Sequence, residues 1–229
     1  MKLGLLQCDH VADHLLALNG DYDEQFTKLL PDFEWSYYDL TAGQFPATLD
    51  ECNAYLCTGS KYSVYDNISW IHQLKHIVRE IYYEQIPFVG VCFGHQMIAH
   101  ALGGRVDKGA CGWCVGIHTF NVLQREEWMV PFQPAFNILM SCQDQVLELP
   151  QDSTVLAETA DCRVGMFLVG ERMLGVQGHP EFSVAYAQSL MKGRRERIGE
   201  DKVLVGLESL CYRLEIVIIR EWMIKFLKG

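Results

Sequence analysis

The chain has 229 residues, 49% of them hydrophobic, with no Ser-, Gly- or Pro-rich linker, so one compact domain spanning residues 1–229 is expected. A formal net charge of −10 works against binding to phosphate backbones, and the one basic stretch, "KGRRERIGEDK", is diluted by its own acids; it reads as a solvated helix end or loop, and nucleic acid is not an expected partner. Nine cysteines without framework spacing fit a reducing compartment, the first apolar run is too short for a membrane span, and acidic and histidine residues follow it where a signal peptide would have a small-residue cleavage site, so a cytoplasmic, disulfide-free protein away from membranes is expected.

Residues 2–8 read as a short buried strand, followed by a loop with the turn residues "NGDYD" and a helix from Asp23 to Leu30 that Pro31 stops. "FEWSYYDL" is a second strand and "AYLCTGS" a third that runs into a glycine loop. "ISWIHQLKHIVREIYYEQ" repeats its apolar residues every three and four positions, the period of an amphipathic helix, and "PFVGVC" is the next strand. These alternations predict an α/β fold in which a parallel sheet carries helices on both faces. Between Gly103 and Gly178 shorter segments, "VGIHTFNVL", "NILMSC", "TVLAET" and "VGMFLV", predict antiparallel additions. The last stretch predicts one packing helix at about 203–227, too rich in charge to cross a membrane.

Gly90-Val91-Cys92-Phe93-Gly94 has the form glycine, any, nucleophile, any, glycine, where a hydrophobic strand gives way to the helix-compatible "HQMIAHAL". In such an elbow the central residue sits in a tight turn, and side chains two positions to either side would collide. The turn would place the Cys92 sulfur at a helix N-terminus, where unpaired amides favour thiolate, and would aim the Phe93 N–H at a developing oxyanion. Gly59, in the loop after the preceding strand, is the candidate second donor. Buried cysteine at a strand end is also a common core residue, so the reading needs a base.

Of the eight histidines, the pairs His10/His14 and His72/His76 have the four-residue spacing of a helical metal site but no accompanying zinc motif, and no metal is expected. His95 and His100 fall in the helix after the elbow and are expected to pack or to point away from the sulfur. His179, in "LGVQGHPEF", differs from these: Glu181 lies two residues on, and in an extended chain it projects to the same side and can hold the imidazole's tautomer. Cysteine, histidine and orienting glutamate are the parts of a thiol triad.

"GVCFGHQ" followed by "QGHPEF" resembles the class I (triad) glutamine amidotransferases, and "LCTGSKYSVYD" and "MSCQDQV" are similar to that family's oxyanion loop and glutamine-binding segment. The likeness runs from about residue 3 to residue 182 and is nearest to small stand-alone members that resemble the amidotransferase part of GMP synthase. It implies a flavodoxin-like α/β fold, Cys92 as nucleophile, His179 as base and acid, Glu181 as orienter, and Gly59 and Phe93 as oxyanion donors. Gln96, Ser141, Gln143 and Asp144 would line the glutamine pocket. Cys142, where many members have histidine, and Gly178, where phenylalanine is frequent, depart from the pattern.

No fused synthase domain is expected from these motifs, so an acceptor enzyme is expected to be a separate chain. The resemblance thus implies hydrolysis of glutamine through a γ-glutamyl thioester, without a cofactor, the ammonia passing to a separate synthase subunit. The alternatives are a stand-alone γ-glutamyl peptide hydrolase and a catalytically silent binding or regulatory module. "CGWC", Cys111 to Cys114, enters a strand from a loop where redox pairs sit at helix starts, and no second metal-binding pair accompanies it; it reads as fortuitous.

Overall fold

The computed structural model describes residues 1–229. Its first half holds β1 (Lys2–Gln7), α1 (Asp13–Asn19), α2 (Tyr22–Leu29), β2 (Glu34–Asp39), β3 (Ala54–Cys57), α3 (Ser69–Tyr83), β4 (Phe88–Val91) and α4 (Phe93–Ala101). Then come β5 (Arg105–Lys108), β6 (Cys114–Val122), β7 (Ala135–Cys142), β8 (Asp144–Glu148), β9 (Ser153–Glu158), β10 (Met166–Val169) and β11 (Met173–Val176). The chain ends with α5 (Val184–Gly193), α6 (Arg195–Ile198), α7 (Glu200–Ser209) and α8 (Ile216–Lys228).

Nine strands form one sheet in the order β2-β1-β3-β4-β11-β10-β9-β6-β7. The β2-to-β11 half is parallel throughout, and β10, β9, β6 and β7 extend it antiparallel, as the strand–helix alternation and the later short segments predict. The inner parallel strands β1, β3, β4 and β11 are mainly apolar because both faces are covered, whereas the edge strand β2 carries Glu34, Ser36 and Asp39. Leu3, Leu5, Leu56, Val89 and Val91 pack with Phe26 and Trp222 on one face, while Leu6, Tyr55, Cys57 and Phe88 pack with Ile71, Leu74 and Val78 of α3 on the other. The stripe Trp70, Ile71, Leu74, Ile77, Val78 and Ile81 is the buried side of α3, each side chain contributing roughly 1.5–3 kcal/mol on leaving water.

The structure departs from the sequence expectations in three places. The loop after β1 contains α1, a short helix whose N-cap position holds Ala12, which has no side chain able to cap, and which buries only Leu15, so little local signal marks it. β5 and β8 form a small separate antiparallel sheet. The single helix expected at about 203–227 is two helices, α7 and α8, because the chain between them is captured by the sheet edge. Ser209 Oγ accepts the Ile117 N–H at 2.8 Å, Glu215 Oε2 accepts the Asn137 N–H at 2.6 Å, and the Glu215 N–H donates to the Asn137 carbonyl at 3.0 Å. No helix is long and apolar enough to cross a membrane.

The site is positioned by one pairing. β11 lies beside β4 with Val176 opposite Val91, so the residues that follow, Gln177 to His179 on one side and Cys92 on the other, leave the carboxyl edge of the parallel sheet together.

Candidate active site

Cys92 joins β4 to α4 with φ +52° and ψ −98°, a conformation that costs a non-glycine residue about 1 kcal/mol or more. Two backbone bonds hold it there: its N–H donates to the Val176 carbonyl at 2.9 Å, and its carbonyl accepts the Gln96 N–H at 3.0 Å. The flanking glycines are required sterically. A Cβ on Gly90 would lie 2.3 Å from the Gly94 carbonyl oxygen, and one on Gly94 would lie 2.5 Å from the Cys57 carbonyl oxygen.

His179 is anchored by its own N–H, which donates to the Leu139 carbonyl of β7 at 2.7 Å. Its Nδ1 and Glu181 Oε1 are 2.7 Å apart, with the carboxylate side chain wholly shielded from solvent. The contact forms across a turn at Pro180 and Glu181, whereas the sequence reading has it along an extended chain. The Phe182 ring stacks on the imidazole, centroids 4.0 Å apart and planes within 7°, and Tyr186 meets Phe182 edge-on, so ring orientation is set from one face and one nitrogen. Nε2 is buried and makes no hydrogen bond of normal geometry. Burial opposes charge on this ring, but the nearby Cys92 sulfur, then the Glu181 carboxylate, outweigh it and push the His179 pKa up to about 10.

Gly59 follows β3 and stands against both groups: a Cβ there would be 3.1 Å from His179 Cε1 and 3.6 Å from Cys92 Cβ. The loop is pinned by Thr58, whose hydroxyl accepts the Cys8 N–H at 2.9 Å and donates to the Gly59 carbonyl at 3.0 Å. Phe93 opens α4, so its N–H belongs to the first turn, which lacks intrahelical acceptors; its ring is buried against Trp70.

In front of Cys92 lies a cleft of about 540 Å³ whose walls include Gln96, Ser141, Gln143 and Asp144. Gln96 Nε2 donates to the Asp144 carbonyl at 2.8 Å and to Gln177 Oε1 at 3.1 Å, Asp144 Oδ2 accepts the Ser63 hydroxyl at 2.5 Å, and the buried Ser141 Oγ has no partner. His179 borders a narrower space behind, shared with Cys92, Ser141 and Arg194. The other histidines lie elsewhere. His95 is buried edge-on to Phe167 and its pKa is pushed down to about 3 by burial, while the His10 ring bridges Asp21 and Asp39 ahead of α1.

A family model described as glutamine amidotransferase class-I matches residues 51–192, a span that contains Gly59, Cys92, His179 and Glu181. The chain belongs to that family. It is similar to gamma-glutamyl peptidase 3 of Arabidopsis thaliana, 30% identical over 66% of this chain and 64% of that protein, so the match spans just under two thirds of the relative. It is also similar to a glutamine-hydrolyzing GMP synthase subunit of Saccharolobus solfataricus, 28% identical over 79% of this chain and 89% of that one. A glutamine amidotransferase structure from Thermotoga maritima shares the fold, with a TM-score of 0.79 at 19% identity over 99% of each chain.

Gly178 and Cys142, the two departures from the motif pattern, have local causes or neighbours. Gly178 sits tight on β7, where a Cβ would lie 2.7 Å from Ile138 Cγ2 and 3.1 Å from the Leu139 carbonyl oxygen, so a larger residue here requires the Ile138 side chain to shift. Cys142 is buried in the cleft wall, its pKa held well above the usual thiol range by its hydrogen bond to Cys114 and by burial. The cleft in front of Cys92 also contains residues to which the sequence alone assigns no role: Lys61, Lys108, Trp113, Arg194 and Arg197. The last two lie in "KGRRERIGEDK", and their three-residue spacing across the start of α6 is the available sign that they share a face.

Proposed function

We propose that this chain is a cysteine-dependent hydrolase of γ-glutamyl amide bonds. The observation that carries the reading is the convergence of Cys92, on its strained turn, with a Glu181-held His179 whose charge is stabilised by the Cys92 sulfur. The Cys92 thiolate attacks the γ-carbonyl carbon, and backbone N–H groups of Gly59 and Phe93 take the oxyanion. As the C–N bond breaks, the His179 imidazolium gives its proton to the leaving nitrogen. Neutral His179 then takes a proton from water as it attacks the γ-glutamyl thioester, and free glutamate departs. Gln96, Ser141, Gln143 and Asp144 hold the glutamyl part. The chemistry needs no cofactor.

Two substrates fit this mechanism: glutamine, with ammonia passing to a separate synthase partner, and a γ-glutamyl peptide. The cleft favours the peptide. In a protein with net charge −10, Lys108, Arg194 and Arg197 line the space in front of Cys92, and none of the three has a carboxylate within ion-pair distance. Unpaired cations beyond the nucleophile suit a leaving group that ends in a carboxylate, which ammonia does not have. The relative named gamma-glutamyl peptidase supports the same choice. A paired assay decides it. A γ-glutamyl dipeptide should be cleaved with higher kcat/KM than glutamine, Cys92→Ala should abolish both activities, and Arg194→Ala should raise KM about tenfold for the dipeptide alone. Turnover of glutamine only in the presence of an added synthase partner would favour the other substrate.

A further inference from the structure

The Cys111-Gly112-Trp113-Cys114 segment, without a role by sequence spacing, folds so that its two sulfurs touch. Sγ of Cys111 and Sγ of Cys114 are 3.4 Å apart, brought round by Gly112 at φ +73°. The Gln145 side-chain amide donates to both sulfurs, at 3.3 and 3.4 Å, and to the Asp161 carbonyl at 2.9 Å. Cys111 is partly exposed in the turn, while Cys114 is buried at the head of β6. We propose that Cys111 and Cys114 form a reversible thiol–disulfide site beside the catalytic cleft, flanking its wall residue Trp113, with a low-molecular-weight disulfide as oxidant.

Closing the bond needs a contraction from 3.4 Å to the ordinary S–S length of about 2.05 Å. The Gln145 amide favours negative charge on whichever sulfur carries it. A hydrogen bond from the Cys142 thiol, joined by one from Cys111 and opposed by burial, brings Cys114 down to about 7, so the pair holds thiolate at neutral pH. A second pair shows that contact alone is not sufficient. The sulfurs of Cys8 and Cys57 are also 3.4 Å apart, but both residues are wholly buried, and burial holds the Cys8 thiol well above its ordinary pKa.

The exchange balances. The Cys111 thiol, raised by partial burial and by its bond to Cys114, gives its proton to the Cys114 thiolate as its sulfur, which solvent reaches, bonds to one sulfur of the reagent and expels the other as thiolate; the Cys114 sulfur then bonds to Cys111 and expels the second. Two protein thiols are oxidised, one reagent disulfide is reduced, and its two sulfurs leave with the pair's two protons. Trp113 lies between the two cysteines with its ring in the cleft, under the Arg197 guanidinium at 5.1 Å from the ring centroid. Drawing Cys111 onto Cys114 therefore re-seats a wall of the cleft, and weaker substrate binding is the consequence, a step that rests on the γ-glutamyl hydrolase reading.

The test treats the reduced full-length protein with bis(2-hydroxyethyl) disulfide, which carries no glutamyl group, blocks remaining thiols and maps the products by mass spectrometry. A Cys111–Cys114 disulfide should form at least about tenfold faster than one between Cys8 and Cys57, reverse with dithiothreitol, and be lost in Cys111→Ser. No such disulfide, or one formed no faster than at Cys8 and Cys57, would overturn the site. To keep Cys92 out of the exchange, the coupling is read in Cys92→Ala protein: oxidation should weaken its binding of a γ-glutamyl dipeptide at least about threefold by titration calorimetry, while Cys92→Ala/Cys111→Ser treated alike keeps its affinity. A complete disulfide with unchanged affinity would overturn the coupling to the cleft. Reduced protein inactive on every γ-glutamyl compound would count against the hydrolase reading, and the mass map would still decide the dithiol site.

Discussion

Glu181→Gln removes the negative charge from a fully shielded carboxyl 2.7 Å from His179 Nδ1 and leaves the side chain's size unchanged. The ring's pKa of about 10 stands roughly 3.5 above its ordinary 6.5, which is about 5 kcal/mol in favour of imidazolium after burial has taken its share. The Cys92 sulfur contributes first and Glu181 second. Charges about 4 Å apart at an effective dielectric of about 20 interact by about 4 kcal/mol, so losing the carboxylate should remove about 2–4 kcal/mol. The variant's kcat/KM should fall by about 30- to 1000-fold, because the transition states for attack and for protonation of the leaving nitrogen both carry the imidazolium. The pH profile gives a sharper reading. Protonated His179 is needed as the acid, so wild-type activity should persist to alkaline pH and decline as pH rises through about 10. In Glu181→Gln the same decline should begin about 1.5 or more pH units lower, while Glu181→Asp, which keeps the charge, should stay nearer the wild type. The assay is release of p-nitroaniline from γ-glutamyl-p-nitroanilide over a pH series, with circular dichroism to show that each variant is folded. A Glu181→Gln protein within about threefold of wild type, with its alkaline limb unmoved, would refute the assignment of Glu181 as the group that holds and charges the ring.

Three further outcomes follow from the same geometry. Cys92→Gly should be inactive yet about 1 kcal/mol more stable than Cys92→Ala in urea unfolding, since glycine alone relaxes at φ +52°; equal stability would mean the turn is unstrained. Gly90→Ala places a Cβ 2.3 Å from backbone of the next helix and should destabilise by about 1–3 kcal/mol or more, seen as a lowered Tm; an unchanged Tm would show that β4 and α4 can part without loss. His95 is held neutral by burial with a pKa of about 3, below its unfolded value of about 6.5, so the unfolded chain binds the extra proton between these pH values. Its contribution is therefore present above pH of about 6.5 and lost on acidification by about 1.4 kcal/mol per pH unit down to about 3; His95→Leu should flatten that slope between about pH 6.5 and 5, and an unaltered slope would exclude His95 as its source.

Legibility in the sequence tracked the range of the constraint. The Cys92 turn was readable because the collision it avoids lies within five consecutive residues, Gly90 to Gly94. The His179–Glu181 contact was readable as a pairing but not as a turn, since the backbone there is bent by the approach of Leu139 on β7. The break between α7 and α8 was hidden because its causes, the Ile117 and Asn137 amides, belong to strands distant in the chain. Arg194 and Arg197 were hidden for a similar reason: charge composition marks a helix end as polar without saying whether it faces solvent or a cleft. "CGWC" showed its spacing, but the contact of its sulfurs and the Gln145 amide placed over them depend on the small β5–β8 sheet, which left no strong periodic pattern.

The residue order by itself determined that strands apolar on both sides must be sandwiched between helices, and that a cysteine flanked by glycines two positions away must sit in a tight strand-to-helix turn. Both follow from sterics and from the removal of apolar surface from water, which act over a few neighbouring positions. The meeting of Cys92 with His179 was decided only by tertiary structure, through the pairing of β11 with β4 at Val176 and Val91. A shift of one residue in that register would turn every side chain of β11 to the opposite face and carry the imidazole away from the sulfur.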